Sequence, residues 1–260
     1  MVLHTVEAMD AVVLAAGRFE AGEAERAGHH VKAVVRIGRH TPLEAMLSAV
    51  RETSGIGSLL VVGPRAVSQQ VTGYDRWIPE GASGEENALA GLRAVTTRRV
   101  LLCSSDLPFV QAAHLNDFLR RVPPDVDIAY PIFSREEFLA AFPGGRSKFA
   151  AVGGVHWTGG SVCVLTASVA RKNELLIRRA FAARRSQLAL ASLLGTGVLV
   201  RHMLNTLRVE HVVRRVERLT GAKALAVRGA HPALAMDCDS LADVEYARDA
   251  ARKHQSLAAR

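Results

Sequence analysis

The sequence predicts an α/β protein, a three-layer α/β/α sandwich on a mostly parallel, Rossmann-like sheet. Two observations carry this. Three short runs, Ala11–Ala15 (AVVLA), Leu59–Val62 (LLVV) and Val100–Cys103 (VLLC), are apolar at every position, the pattern of strands buried on both faces of a parallel sheet. Between them lie segments with the helical apolar period, and strands alternating with helices at this pace make right-handed βαβ units.

The elements follow in order. The first strand runs into Ala16-Gly17-Arg18. Pro42–Val50 (PLEAMLSAV) reads as a helix, with Thr41 as N-cap and proline at its first position. Leu59–Val62 is closed by Gly63-Pro64, and Glu85–Val95 is helical, starting from Ser83 or Gly84. Val100–Cys103 leads into Ser104-Ser105-Asp106-Leu107-Pro108. Ala112–Arg121 resumes helix and Asp127–Pro131 (DIAYP) is a fourth strand. Pro143–Ser147 (PGGRS) and Gly153-Gly154 break regular structure before another strand, Ser161–Leu165 (SVCVL). Residues 169–194 and 202–220 are helical by pattern. Ala224–Val227 and Ala233–Met236 are short strand candidates, and Ser240 opens a last helix through Ala250. The expectation is one domain over residues 1–260, with a helical insertion at about 169–220.

Composition narrows the function classes. With 260 residues, 49% hydrophobic, the chain can bury a core large enough to offset its conformational entropy, which excludes general disorder. The longest apolar stretch, Leu188–Val200, contains Ser192, Gly195 and Thr196 and is flanked by Arg185 and Arg201. It falls short of the roughly 18–20 uninterrupted apolar residues of a membrane span, and no membrane partner is expected. MVLHTVEAMD lacks the basic start and apolar run of a secretion leader. Cys103, Cys163 and Cys238 are odd in number and lie far apart in apolar segments, as reduced thiols in a cytoplasmic protein do. Lys and Arg total 33 against 25 Asp and Glu, a formal +8 that favours anionic partners. The basic clusters at 171–185 and 208–218 fit solvated faces of amphipathic helices. Aromatics, at 5%, are too sparse for a base-stacking platform, so nucleic acid is not the expected partner.

In an open α/β sheet, ligands bind beyond the carboxyl ends of the strands. Leu14-Ala15-Ala16-Gly17-Arg18 ends the first strand with small residues that let backbone N–H groups approach a phosphate, and Arg18 adds charge. A plain tight turn reads the same way. Asp106 follows the third strand, where a carboxylate can hold a hard divalent cation or cap the next helix. Met236-Asp237-Cys238-Asp239-Ser240 places two carboxylates two residues apart in extended chain, on one face. Helix capping by Ser240 with Asp243 accounts for one acid there, not readily for two upstream. Asp106 with Asp237 or Asp239 would make a paired-carboxylate Mg²⁺ site. His29-His30 are adjacent and point apart in extended chain, with no third ligand nearby, so they read as loop histidines.

DAVVLAAGR at 10–18, Lys32 and the stretch after it, CSSDLPF at 103–109, TGGSVCVL at 158–165 and AMDCDSLADVEYA at 235–247 occur in that order. This series resembles the MobA-like NTP transferases, whose members include molybdenum-cofactor guanylyltransferase and sugar-phosphate nucleotidyltransferases. The resemblance spans nearly the whole chain and implies a nucleotide-diphospho-sugar transferase type of fold. It implies that Leu14, Ala15, Ala16, Gly17 and Arg18 wrap a triphosphate, that Lys32 contacts phosphates, and that Asp106, Asp237 and Asp239 bind the metal. Thr158, Gly159 and Gly160 resemble the acceptor-side segment. Lys148 is a candidate for an acceptor phosphate, and the Glu80–Asn87 loop, with Asn87, lies where the base is touched. The opening loop departs from the family pattern: Gly17 is followed by RFEAGEAERAGHHVK, longer and acidic, without Arg-Met-Gly.

The function expected is nucleotidyl transfer: an acceptor phosphate attacks an NTP α-phosphate, pyrophosphate leaves, and Mg²⁺ is the cofactor. Arg18, Lys32 and Asp106 would carry catalysis. A metal-dependent glycosyltransferase of related fold, or a non-catalytic nucleotide-binding module, are the alternatives.

Overall fold

The computed structural model describes residues 8–183 and 187–258. Its sheet is built from β1 (Met9–Leu14), β2 (Ile56–Gly63), β3 (Arg76–Pro79), β4 (Arg99–Ser104), β5 (Ile128–Ser134), β6 (Ala150–Val152), β7 (Val155–Gly159), β8 (Val162–Thr166) and β9 (Ala224–Val227). The order is β3-β2-β1-β4-β8-β5-β7-β6, with β9 beside β5. β1 pairs in parallel with β2 and β4, β2 with β3, and β5 with β9; β8 and β7 are the strands that run against the rest. The sandwich expected from the apolar runs is therefore present, with a mostly parallel sheet. Ala129 faces Val164 while Ile132 faces Gly159, so β7 and β8 follow one edge of β5 with two extra residues between them. Those residues are at Gly160-Ser161, where the chain steps across to β4.

The helices are α1 (Ala21–Ala27), α2 (Pro42–Arg51), α3 (Arg65–Ser68), α4 (Gly84–Ala94), α5 (Ala112–Arg120), α6 (Arg135–Ala141), α7 (Ala167–Lys172), α8 (Glu174–Ala183), α9 (Gln187–Leu194), α10 (Thr196–Met203), α11 (Val209–Thr220) and α12 (Leu241–Ala258). Ala11 and Val13 of β1 pack into the core shared with α2, α5 and α6, whereas Val12 packs into the opposite layer with Leu92 of α4 and Ala167 and Ala170 of α7. Burial on both faces is what the uninterrupted apolar run demanded. A Cβ on Gly91 would stand 2.4 Å from Val12 Cγ1, so glycine lets α4 lie directly against β1. Thr41 caps α2 in a reciprocal capping box with Glu44, with proline at the start of the helix.

One expectation needs correction and another needs detail. Ala233–Met236 is not a strand: Pro232–Leu234 is a 3-10 turn, held by His231 Nδ1 accepting from Ala233 N at 3.1 Å. The stretches at 169–194 and 202–220 are helical, divided among α7 to α11. Asn173 ends α7, its side-chain amide donating to Val169 O at 3.0 Å, and Asn205 (φ 54°) adopts left-handed backbone between α10 and α11. Arg184 and Arg185 of the basic cluster lie outside the described residues, as do residues 1–7, on which the leader reading rests.

At the end of the sheet remote from β-strand carboxyl termini, Asp10 ties three segments together. Its carboxylate accepts from Ser58 N (3.2 Å), Thr96 N (2.8 Å) and Thr97 N (3.3 Å), and the residue is 2% exposed. Burial alone would raise its pKa, but these donors together hold it below the usual carboxylate range. Asp10→Ala leaves three backbone donors and the Thr96 hydroxyl unmet and is expected to lower stability by about 2–3 kcal/mol, read as a shifted urea midpoint. An unchanged midpoint would remove the clamp.

His114 at the start of α5 and His231 stack with centroids 3.9 Å apart and planes at 6°. Each Nδ1 accepts a backbone N–H, from Gln111 at 3.2 Å and Ala233 at 3.1 Å, so both rings are neutral as they stand. Burial, then the neighbouring ring, pushes His114 down to about 4, and burial lowers His231. A histidine with a depressed folded pKa contributes stability that is complete above its unfolded value of 6.5 and is lost as pH falls from there towards about 4. His231 is exposed, so solvent screening limits the effect to roughly 1 kcal/mol between neutral pH and pH 5. His231→Gln should flatten the pH dependence of the urea midpoint relative to wild type over that interval. An identical slope in both proteins would contradict the assignment.

Candidate active site

The site forms where β1 and β4 end and β8 begins. β1 continues the sheet past Leu14, with Ser105 N donating to Leu14 O (3.1 Å) and Ala15 N to Val62 O (2.7 Å). The chain then crosses to the segment before Lys32. Arg18 bridges Val31, Phe19 N donates to His30 O (3.0 Å), and Lys32 N donates to Gly17 O (2.9 Å). The acidic stretch after Arg18 is thus not an open loop but α1, ended by Gly28 at φ 91°. Its Ala24 and Ala27 pack with Val244 and Ala247 of α12. Glu23 accepts from Leu241 N at the start of that helix (3.2 Å), and Arg248 donates to Ala27 O (2.9 Å). Through these contacts α1 clamps the opening turn to the segment bearing Asp237 and Asp239.

The acids converge as the spacing suggested. Cys238 N, between Asp237 and Asp239, donates to Asp106 O at 3.0 Å. Ser161, in the step between β7 and β8, donates its N–H to Leu234 O (2.7 Å) and its hydroxyl to Asp237 Oδ2 (3.0 Å), while Ser104 N donates to Ser161 O (2.8 Å). Lys32 Nζ lies 2.9 Å from Asp239 Oδ1 and 5.5 Å from the centre of the Phe19 ring. Four segments far apart in sequence therefore meet at one rim.

The electrostatics of the cluster are those of surplus negative charge. Burial raises the Asp106 carboxyl, and Asp239 adds to the rise against the opposing hydroxyl of Ser104 and charge of Lys32. Burial, with Asp106 and Asp239 close by, pushes Asp237 up to about 8 despite its bond from Ser161. Asp106 Oδ1 is buried and has no hydrogen-bond partner among the described residues. An unmet buried carboxylate oxygen in a cluster with two further carboxylates fits a hard divalent cation by its all-oxygen chemistry. Among the described residues no three His, Cys, Asp or Glu side chains are arranged to hold an ion on their own. Mg²⁺ is ordinarily held by one or two carboxylates, with water and substrate oxygens completing the shell.

The other predicted residues divide. Arg18 stands beside the cluster but its guanidinium grips Glu80 with two hydrogen bonds, one from Nη1 at 2.8 Å. Asn87 is buried, and its Oδ1 accepts from Gly81 N at 2.6 Å, so it shapes the 80–87 loop rather than offering its amide outward. Thr158 is buried and its hydroxyl lies 2.7 Å from that of Ser147, which ties the 143–149 segment to β7. Lys148, next to Ser147, is exposed. No contact among the described residues joins Asn87 or Lys148 to the acids. Gly159 is required by its neighbour: a Cβ there would lie 2.4 Å from Tyr130 Oη. Gly160 N donates to Pro131 O at 2.8 Å. His29 Nδ1 accepts from Val31 N (2.9 Å), in keeping with a loop role. Reading the sequence missed Ser161, Ser104 and Glu80 as partners. Ser161 follows TGG directly, and that position was the one available signal.

A family model described as MobA-like NTP transferase domain matches residues 11–225. Among solved structures, a hypothetical transferase from Thermus thermophilus is 31% identical, with a TM-score of 0.78 over 91% of this chain and 99% of that one. A 2-C-methyl-D-erythritol 4-phosphate cytidylyltransferase, also from Thermus thermophilus, is 19% identical, with a TM-score of 0.54 over 94% of this chain and 99% of that one. A Mycobacterium tuberculosis protein in complex with manganese is 18% identical, with a TM-score of 0.50 over 93% of this chain and 98% of that one. These last two likenesses concern the fold. No curated protein matches significantly.

Proposed function

The chain belongs to the MobA-like NTP transferase domain family, a family of nucleotidyltransferases, and from that premise we propose that it moves a nucleoside monophosphate from an NTP to a phosphorylated small-molecule acceptor with release of pyrophosphate. Asp106, Asp237 and Asp239 are the residues that would hold Mg²⁺. The observation that supports this most is the meeting of Asp106 with the Asp237–Asp239 segment through Cys238 N, with one carboxylate oxygen of Asp106 left unmet. A divalent cation bound there would neutralise charge accumulating on the transferred phosphoryl group.

The chain's own residues supply position and charge, which is most of what phosphoryl chemistry asks of a protein. Lys32, its stem lying along Gly17, carries its ammonium to the rim, where triphosphate oxygens can replace or share Asp239. Arg18 reaches phosphate by leaving Glu80, an exchange of one anion for another around the same guanidinium fork. Ser161 fixes the Asp237 carboxylate by its hydroxyl. Gly159 and Gly160 present the acceptor side, where Tyr130 forms the wall. No general base is needed, since a phosphate acceptor is already anionic at neutral pH. The three thiols are unbonded to one another, which supports a reducing, cytoplasmic setting.

The test is pyrophosphate release with each of the four NTPs and Mg²⁺ against a panel of phosphorylated sugars and molybdopterin. Pyrophosphate formed only with both substrates supports the reading. Nucleoside diphosphate released from a nucleotide sugar would replace it with glycosyl transfer. NTP binding without turnover on any acceptor would replace it with a binding module.

A further inference from the structure

The net charge of the chain is confined to one stretch. Residues 167–220 hold eleven Lys and Arg against three Asp and Glu, a net +8, while the remaining residues hold 22 of each sign. In the structure much of that charge is unpaired. Arg171, Lys172, Arg179, Arg201, Arg208, Arg214 and Arg218 are exposed, and among the described residues none of them is within ion-pair distance of a carboxylate, Arg208 acting on Glu210 only from further off. The same stretch carries the most exposed large apolar side chains described. Val200, Met203 and Leu204, at helical spacing on α10 and its end, are 52%, 74% and 66% exposed. Arg201 O accepts from Thr206 N (2.8 Å) and Leu207 N (3.0 Å), and Asn205 takes the left-handed conformation. The chain therefore turns sharply at Met203-Leu204-Asn205, leaving an apolar tip flanked by Arg201 and Arg208.

We infer that this tip and the basic helices around it dock the protein on an anionic lipid surface. The occupant is chosen by charge and chemistry. Two copies meeting through this region would bring +8 against +8, which disfavours self-association. A nucleic-acid backbone would take the arginines but offers nothing to three exposed aliphatic side chains in the tip. An anionic bilayer takes both, drawing arginines to its headgroups and apolar side chains into the interface. No helix among the described residues is long and apolar enough to cross a membrane, so the association is with the surface. The inference is independent of the chemistry at the acidic cluster, and it revises the expectation of no membrane partner.

The test is co-sedimentation of the full chain with vesicles of phosphatidylcholine alone or with about 40 mol% phosphatidylglycerol, at low and high salt. Binding should require the anionic lipid and fall as salt rises. The triple variant Val200→Ser, Met203→Ser, Leu204→Ser, and separately Arg201→Gln with Arg208→Gln, should each bind about tenfold less while melting at the wild-type temperature. No binding at low salt overturns the inference. So does binding untouched by both variants, retention on RNA or duplex DNA in place of vesicles, or a dimer that forms through the tip and masks it.

Discussion

Asp106→Asn should reduce pyrophosphate release by about 10²–10⁴-fold while leaving the protein folded. The amide keeps the shape of the carboxyl, so the backbone bond from Cys238 N to Asp106 O is undisturbed. It removes a charge that burial and Asp239 oppose. The wild-type arrangement gathers carboxylates at one partly buried rim, an arrangement that opposes stability and serves binding. In metal-free buffer the variant should therefore unfold no earlier than wild type, and up to about 1 kcal/mol later. The gain in melting temperature that Mg²⁺ gives the wild type should vanish. Activity and stability moving in opposite directions is the signature to look for. Wild-type turnover in the variant would remove Asp106 from the site, whereas a large loss of stability would make it a structural residue.

What could be read in the sequence depended on whether a residue's role was set locally. β1, β2 and β4 were legible because burial on both faces leaves no polar position, and α2 because Thr41, Pro42 and Glu44 signal its start. The acidic pair at Asp237 and Asp239 stood out because one helix cap does not need two upstream acids. β3, four residues ending in Pro79, carries no alternation. α1 buries only alanines, so its small residues read as loop. Ala233–Met236 has strand-like composition, and His231 with Pro232 turned it into a 3-10 turn instead. The pairing of Arg18 with Glu80, 62 residues on, and of Asp237 with Ser161, 76 residues back, depend on packing of the whole sheet. Resemblance supplied the ordering of these pieces but not the clamp of α1 on α12, which rests on contacts between residues more than 200 positions apart.

Lys32→Met is the sharper test of how the triphosphate is held. Methionine preserves most of the stem against Gly17 and Phe19 and deletes only the ammonium, in a side chain 12% exposed. If Lys32 grips phosphate, kcat/KM should fall by about 10²–10³-fold, largely as a higher KM for the NTP. Metal affinity should behave differently. Losing the ammonium frees Asp239 Oδ1 from its 2.9 Å ion pair and removes a positive neighbour of Asp106. Mn²⁺ titrated into the NTP-free variant should therefore bind as tightly as in wild type, or more tightly. If Lys32 instead served only to hold Asp239 in place, metal affinity and turnover would decline together in the variant. The two measurements on one protein separate a residue that contacts substrate from one that props up a ligand of the metal.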